Sequence, residues 1–461
     1  MRNFYEAIAI PKMLYGAEVF AAPEIATRKG RRGRKKQRPK ASIIKKLTTT
    51  QRKAAIIITG AMRATAADTL NIHANILAAS QQIEKVLMKT AIRLGMIPNT
   101  HPLYRHITKV TKHHIKDHRS PINDMIHEYR INQRKTAKVA AVHQDPKWSF
   151  KGTCIIEDTA TATESEKKDK AKTKVYTDGS GIDGKVGAAA VLYIDGEEVE
   201  ARRFKVGTLT RHEVYDGEGV GLVEGMAMIG NREKVEGPTT IYTDNKAAIR
   251  AIELRKPGSS HTIWDAFHTE YERAQKKHPR MRLTIRWLPA HKGIIGNEQA
   301  DQEAKKAAHG DTNIADMSHI PKILQHSIPH NPTSIIKTKR AAMQKYEATK
   351  WQRSKRQHSL LKVTADTSPK AYQKLVKDLH RVHTSIIVQL RTGHAPLNHH
   401  LHRIKATDSP TCPTCHERDE TVLHYLLHCH TYKRQRYNAK SAPMHATSKN
   451  CYPHANTFPL S

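Results

Sequence analysis

The chain runs to 461 residues, long enough for about three domains and a buried core. Its 78 Lys and Arg against 43 Asp and Glu give a formal charge of +35, an imbalance that a compact neutral enzyme does not need and that points to a polyanionic partner, nucleic acid first. Five cysteines, three of them crowded between 412 and 429, argue against the distributed framework of a disulfide-stapled secreted protein, and no apolar run approaches the roughly 20 residues that span a bilayer. These features predict a soluble intracellular protein, in nucleus and cytoplasm, with no membrane partner. They leave the oligomeric state open, and charge alone does not separate an enzyme from a binding module.

Residues 1 to 22 open directly into a helix-like apolar pattern and read as the tail of something larger. From Arg28 to Lys40, RKGRRGRKKQRPK places nine basic residues in thirteen, too repulsive to fold alone. It is expected to be a solvated arm or inserted loop, with a nuclear address or a phosphate tether as its functional readings. Helical spacing follows at Ile43, Ile44 and Leu47 and again at Ile76, Leu77, Ile83, Val86 and Leu87, which makes residues 1–145 a mostly helical region without a catalytic constellation. EDTATATESEKKDKAKTK, residues 157 to 174, is charged and nearly free of large apolar side chains, so 146–171 is expected to be a linker.

From Val175 the texture becomes β-like: KVYTD, VGAAAVLY and EVEARRFKV, separated by Gly and Asp-Gly turn signals, predict three antiparallel strands. A helix over about 213–230, the strand TTIYTDN, helices from Lys246 and His261, the strand RLTIRWLPAH and a helix from Asn297 complete βββαβααβα, an α/β fold with a mixed five-stranded sheet over 172–310. A Pro-punctuated, mostly helical connector is expected over 311–400, with basic helices around 336–356 and 368–391. A Cys/His motif at 401–437 and a tail at 438–461 follow.

Cleaving a phosphodiester with Mg²⁺ requires several carboxylates converging on hard cations, which take oxygen ligands. Asp178 stands in a predicted strand before the small-residue turn Gly179-Ser180-Gly181, and Asp244 ends a strand before a helix. Glu218 and Glu224 compete on the intervening helix. Glu218 recurs with Leu222, Met226 and Ile229 at spacings of four, four and three, one stripe facing the sheet, whereas Glu224 turns roughly to the opposite side. Glu218 is therefore the expected third acid. Asp301 lies on the last helix, whose packing face is Ala300, Ala304 and Ala307, and His291 ends WLPAH and begins a loop. Four carboxylates packed together without metal would repel, so some of their pKa values should rise.

Near the C-terminus, Cys412-x2-Cys415-x8-His424-x4-Cys429 has donors and spacing suited to tetrahedral Zn²⁺. His428 competes: on a continuous helix it shares a face with His424 while Cys429 turns away, so the helix must end by about His428 for Cys429 to ligate. Cys154 and Cys451 have no such company.

YTDGSG, VYDGEGVGL, IYTDN and WLPAHKGIIGNEQADQEAK together resemble the type 1 ribonuclease H domain, in the version carried by non-LTR (LINE-like) retrotransposon polyproteins of fungi. The resemblance implies a ribonuclease H-like fold. It also implies two Mg²⁺ ions, with Mn²⁺ as a substitute, held by Asp178, Glu218, Asp244 and Asp301, and His291 as the loop residue that assists proton transfer and product departure. The substrate it implies is an RNA/DNA hybrid whose RNA strand is hydrolysed. LRTGHAPLNHHL and the Cys/His motif are similar to the end of those polyproteins, which implies a closed, structural Zn²⁺ site that grips RNA. IPKMLYGAEVF, QRKAAIIITGAMRAT and LGMIPNTHPLY resemble the region just after a reverse transcriptase palm, relative to which 28–40 is an insertion. No adjacent aspartate pair occurs in the chain, so the polymerase metal site is absent from it. An active ribonuclease H is the leading expectation. Its rival is a catalytically inactive nucleic-acid-binding fragment of a retroelement; a zinc-organised interaction module would have lost its carboxylates at random.

Overall fold

The computed structural model describes residues 1–21, 42–113, 120–139, 150–254, 258, 260–313, 320–361, 364 and 366–441. The basic run 28–40 lies outside the described residues, as does Cys451. The chain divides into two compact units, one of Met88–Ala342 and one of Met1–Leu87 with Met343–Ser461.

The first unit holds a six-stranded sheet: β1 (Thr153–Ile155), β2 (Thr173–Ile182), β3 (Lys185–Ile194), β4 (Glu197–Thr208), β5 (Gly237–Thr243) and β6 (Met281–Trp287), in the order β1-β6-β5-β2-β3-β4. β2, β3 and β4 form an antiparallel meander, and β5, β6 and β1 add on in parallel. The Asp-Gly pairs do what their chemistry allows: Asp183-Gly184 and Asp195-Gly196 take positive φ at both positions (49° and 73°, 51° and 92°), the geometry of two-residue hairpin turns. The helices of the sheet region are α1 (Thr159–Lys168), α2 (Val214–Asn231), α3 (Lys246–Leu254), α4 (His261–Lys277) and α5 (Ile295–His309), and helices Tyr104–Lys112 and Pro121–Glu128 lie in the same unit. The expected βββαβααβα order is therefore present, with one strand and one helix more than expected at its start.

That extra pair, β1 and α1, falls in the segment whose composition suggested a linker. The Asp158 carboxylate caps α1 by accepting from the amides of Ala160 and Thr161, at 3.0 and 3.2 Å. Its anchors to the sheet are polar: Tyr176 Oη donates to Glu166 and Tyr242 Oη donates to Asp169, each at 2.6 Å. A segment held by carboxylates on tyrosine hydroxyls carries little of the apolar periodicity that marks an element in a sequence, which is why composition missed it.

One sheet face is covered by α2 and α4 around Val175, Leu192, Val220, Met226, Ile241 and Phe267; the other by α5 over Tyr176, Val191, Tyr242, Leu288 and Ala300. Helix α2 is buried along nearly its whole length. Its glycines answer that double burial: a Cβ at Gly221 would stand 2.8 Å from the Ala189 carbonyl of β3. Segments on either side of the sheet region join the same unit. Thr136 and His330 form a parallel bridge, Ser334 Oγ donates to the Leu209 carbonyl at 2.6 Å, and the unit's limits fall inside helices Ala79–Gly95 and Pro332–Gln352.

The second unit is mainly helical. The basic helix expected over 368–391 is two, Pro369–Val376 and Arg381–Thr392, and His380 caps the second by accepting from the Val382 amide. The Arg381 guanidinium donates to the carbonyls of Ile57 and Ile58 at the end of helix Ser42–Thr59, where its charge also suits the helix dipole. Among the described residues no helix is long and apolar enough to cross a membrane.

Candidate active site and metal centres

Asp178 lies inside β2, and Gly179, Ser180 and Gly181 continue the strand in register with Ala188, Gly187 and Val186 of β3. The turn expected at these glycines is instead at Asp183-Gly184. Their smallness serves proximity: a Cβ on Gly179 would stand 2.3 Å from the Glu218 amide nitrogen, so only glycine lets α2 approach and carry Glu218 to the sheet. Side chains alternate along the strand, which puts Asp178 on the face of Tyr176, packed against Gly296 of α5. Asp244 follows the last residue of β5, and its carbonyl accepts a hydrogen bond from Trp287 Nε1 at 2.8 Å.

Carboxylate oxygens of Asp178, Glu218 and Asp244 lie within 4.8 Å of one another. The same cleft, of about 170 Å³, is lined by Gly179, Ala290, His291, Asn297 and Asp301. All five residues singled out in the sequence thus meet at one place. His291, strongly exposed and at φ 52°, forms a second group of potential ligands with Glu298 and Asp301. Asn297 and Glu298 were missed in the sequence reading. The available signal was helical spacing, four and three residues before Asp301.

The electrostatics are those of like charges packed away from water. Burial first, then the Asp244 and Asp301 carboxylates, push Asp178 up to about 7. Burial, followed by Asp178 and Asp244, raises Glu218 well above the usual carboxylate range, against the Gly179 amide and the Asn245 side chain, which hydrogen-bond to it. Asp244 is raised by burial and by Asp301, with the His291 imidazole opposing. Asp301 has a cation of its own, Lys305 Nζ at 2.6 Å. Glu218 Oε2 is buried with no hydrogen-bond partner. Oxygen donors, mutual repulsion and an orphaned buried oxygen all fit a divalent cation.

Glu224 does turn away from Asp178, but into another buried environment. It is paired with Arg202 Nη1 of β4 at 3.2 Å, and its pKa is pushed to about 7 by burial despite the guanidinium.

In the second unit, ligand atoms of Cys412, Cys415, His424 and Cys429 lie within 4.8 Å of one another, with Cys415 Sγ 3.3 Å from His424 Nε2. Burial raises the Cys412 thiol, yet the Thr414 hydroxyl and the amides of Cys415 and Thr414 outweigh it and bring it down to about 6, toward the thiolate that a metal needs. The helical turn His424–His428 is of the π type, closed by Cys429 N donating to the His424 carbonyl at 2.8 Å. An i to i+5 turn returns Cys429 above His424 and leaves His428 exposed, outside this group of four. The set is compatible with zinc. Cys154, on β1, stands apart, its thiol pushed up to about 12 by burial, then by Glu253.

Residues 170–309 match the family model described as RNase H, less than a third of the chain. That family supports cleavage of the RNA strand of RNA/DNA hybrids with divalent ions for the matched domain. No curated protein matches the chain. Among solved structures, RNase H1 from Halobacterium salinarum is 14% identical, with 30% of this chain and 98% of that one covered at a TM-score of 0.24. LC11-RNase H1 in complex with an RNA/DNA hybrid is 14% identical, covering 30% and 97% at 0.25. The prototype foamy virus protease-reverse transcriptase is 14% identical over 31% of this chain and 21% of that protein, at 0.25.

Proposed function

We propose that the sheet domain is a Mg²⁺-dependent endonuclease that hydrolyses the RNA strand of RNA/DNA hybrids, and that the chain derives from a retrotransposon polyprotein. The observation that carries the first part is the convergence of Asp178, Glu218, Asp244 and Asp301 in one cleft with His291 at its mouth, inside the segment matched as RNase H. The succession of motifs along the sequence supports the second.

Divalent ions bound in the cleft supply Lewis acidity toward the scissile phosphate and the attacking water. Asp178, Glu218, Asp244 and Asp301 hold them. Gly179 and Asn245 fix the Glu218 carboxylate, and Asn245 also caps α3 by accepting from the amides of Ala247 and Ala248, at 3.0 and 3.1 Å. Beyond Thr177, the edge of β2 that faces β5 pairs with no described strand; the Gly179 amide serves Glu218, and the remaining backbone groups of Gly179–Gly181 recognise 2′-hydroxyls. His291, exposed in its loop, relays a proton to the departing 3′ oxygen. Cys412, Cys415, His424 and Cys429 hold a structural Zn²⁺ that shapes an RNA-binding segment.

The test uses the full chain with a labelled RNA/DNA hybrid and Mg²⁺, beside Asp244→Asn. Hybrid-specific cleavage of the RNA strand, abolished by the substitution, is expected. A folded, metal-loaded protein that binds hybrid without cutting it would favour an inactive binding fragment.

A further inference from the structure

Of the buried side-chain atoms left without a hydrogen-bond partner, two belong to residues lining the carboxylate cleft, Glu218 Oε2 and Asn297 Oδ1. Glu218 is explained by the role proposed above. Asn297 is not. It is 6% exposed, lies one helical turn before Asp301 on α5, and so presents to the same face. Nothing in the fold uses its amide oxygen, and a leucine of similar shape would fill the position without burying an unmet acceptor.

The electrostatics of the cleft explain why an uncharged oxygen stands there. Burial and mutual repulsion already raise Asp178, Glu218 and Asp244, and a further carboxylate would add to that repulsion. An amide oxygen brings a hard donor of the kind divalent cations accept from asparagine, at no cost in charge. We infer that Asn297 Oδ1 is a neutral oxygen donor to the divalent cation held in this cleft, a ligand outside the carboxylate set. The inference rests on the proposed reading of the cleft as a cation site. It assigns the orphaned oxygen a partner that arrives only with the ion.

The test measures Mn²⁺ binding to the full-length protein by calorimetry, together with thermal unfolding in EDTA, for wild type, Asn297→Ala, Asn297→Asp and Asp244→Asn. Binding that Asp244→Asn abolishes defines the cleft's own signal. Asn297→Ala is expected to weaken that signal about tenfold while unfolding in EDTA at the wild-type temperature or above. Asn297→Asp is expected to restore affinity, with a steeper rise in binding as pH increases. Cleavage by Asn297→Ala should need more Mg²⁺ and recover when Mg²⁺ is raised. Unchanged Mn²⁺ affinity in Asn297→Ala overturns the inference and leaves the cation site standing. A lowered unfolding temperature in EDTA also overturns it, since the amide would then be satisfied within the protein. If wild type and Asp244→Asn bind Mn²⁺ identically, the cation-site reading fails and takes the inference with it.

Discussion

The carboxylate cleft and the cysteine-histidine knuckle are both candidate ligand sets, built in opposite ways. The knuckle draws its four donors from Cys412 to Cys429, a stretch so short that a π-type turn and a few amides make up most of its scaffold. The cleft draws on residues from Asp178 to Asp301, brought together by a sheet whose two apolar faces exist whatever the acids do. A site carried by a core stores repulsion until a cation relieves it. A site without a core leans on its metal for its shape.

The largest expected effects separate the two directly. Cys412→Ser should remove one zinc ion per chain and render residues 398–437 protease-sensitive, because zinc binding of roughly 10 kcal/mol or more is folding energy in such a motif. Metal analysis and limited proteolysis read this out; an unchanged zinc content would reject the ligand set. Asp178→Asn should do the reverse: cleavage falls more than about 100-fold, the effect of losing a direct ligand rather than its support, yet the metal-free protein becomes more stable.

That gain has a pH signature. Asp178 sits near 7 in the folded state and near 4 when unfolded, so its contribution to stability is fully present below about pH 4 and is lost as pH rises through about 7. The loss is at most about 4 kcal/mol. Chemical denaturation in EDTA should therefore show stability falling from pH 5 to pH 8, a fall that Mg²⁺ suppresses and Asp178→Asn flattens. A flat wild-type profile would mean that the acids are solvated and the cleft stores nothing.

The same contrast governs what could be read from the sequence. Asp178, Glu218, Asp244 and Asp301 were legible because metal chemistry demands carboxylates, because the four-four-three stripe of α2 selects Glu218, and because the motifs around them resemble the ribonuclease H domain, a resemblance that alone singled out His291. The glycines after Asp178 were misjudged because sequence shows a glycine's backbone freedom and not the helix that needs its empty side. The short α1 was invisible for a related reason: Glu166 and Asp169 look like solvated linker charges until Tyr176 and Tyr242 stand opposite them. Double replacement of Glu166 and Asp169 by Ala should cost about 1–3 kcal/mol, the penalty for leaving hydrogen-bonding groups without partners. A stability loss well below this would return 157–171 to the status of a tether.

The smallest effect concerns how finely the core places an acid. Trp287 Nε1 holds the Asp244 carbonyl at 2.8 Å, and Lys246 Nζ stands 3.7 Å from the centre of the same indole ring. Trp287→Phe keeps an aromatic ring but removes the donor, so the loop after β5 loses one of its ties while Leu288 N still donates to the Thr243 carbonyl at 2.9 Å. A displaced ligand affects the reacting geometry more than the grip on substrate. The cleavage rate should therefore fall about 3- to 10-fold with the KM for hybrid unchanged, at a stability cost of about 1 kcal/mol. Lys246→Ala, which removes only the ammonium over the ring, should cost about 0.5–1 kcal/mol with little change in rate. If Trp287→Phe cuts at the wild-type rate, β5 alone positions Asp244, and the cleft is more rigidly prepaid by its sheet than the indole contact suggests.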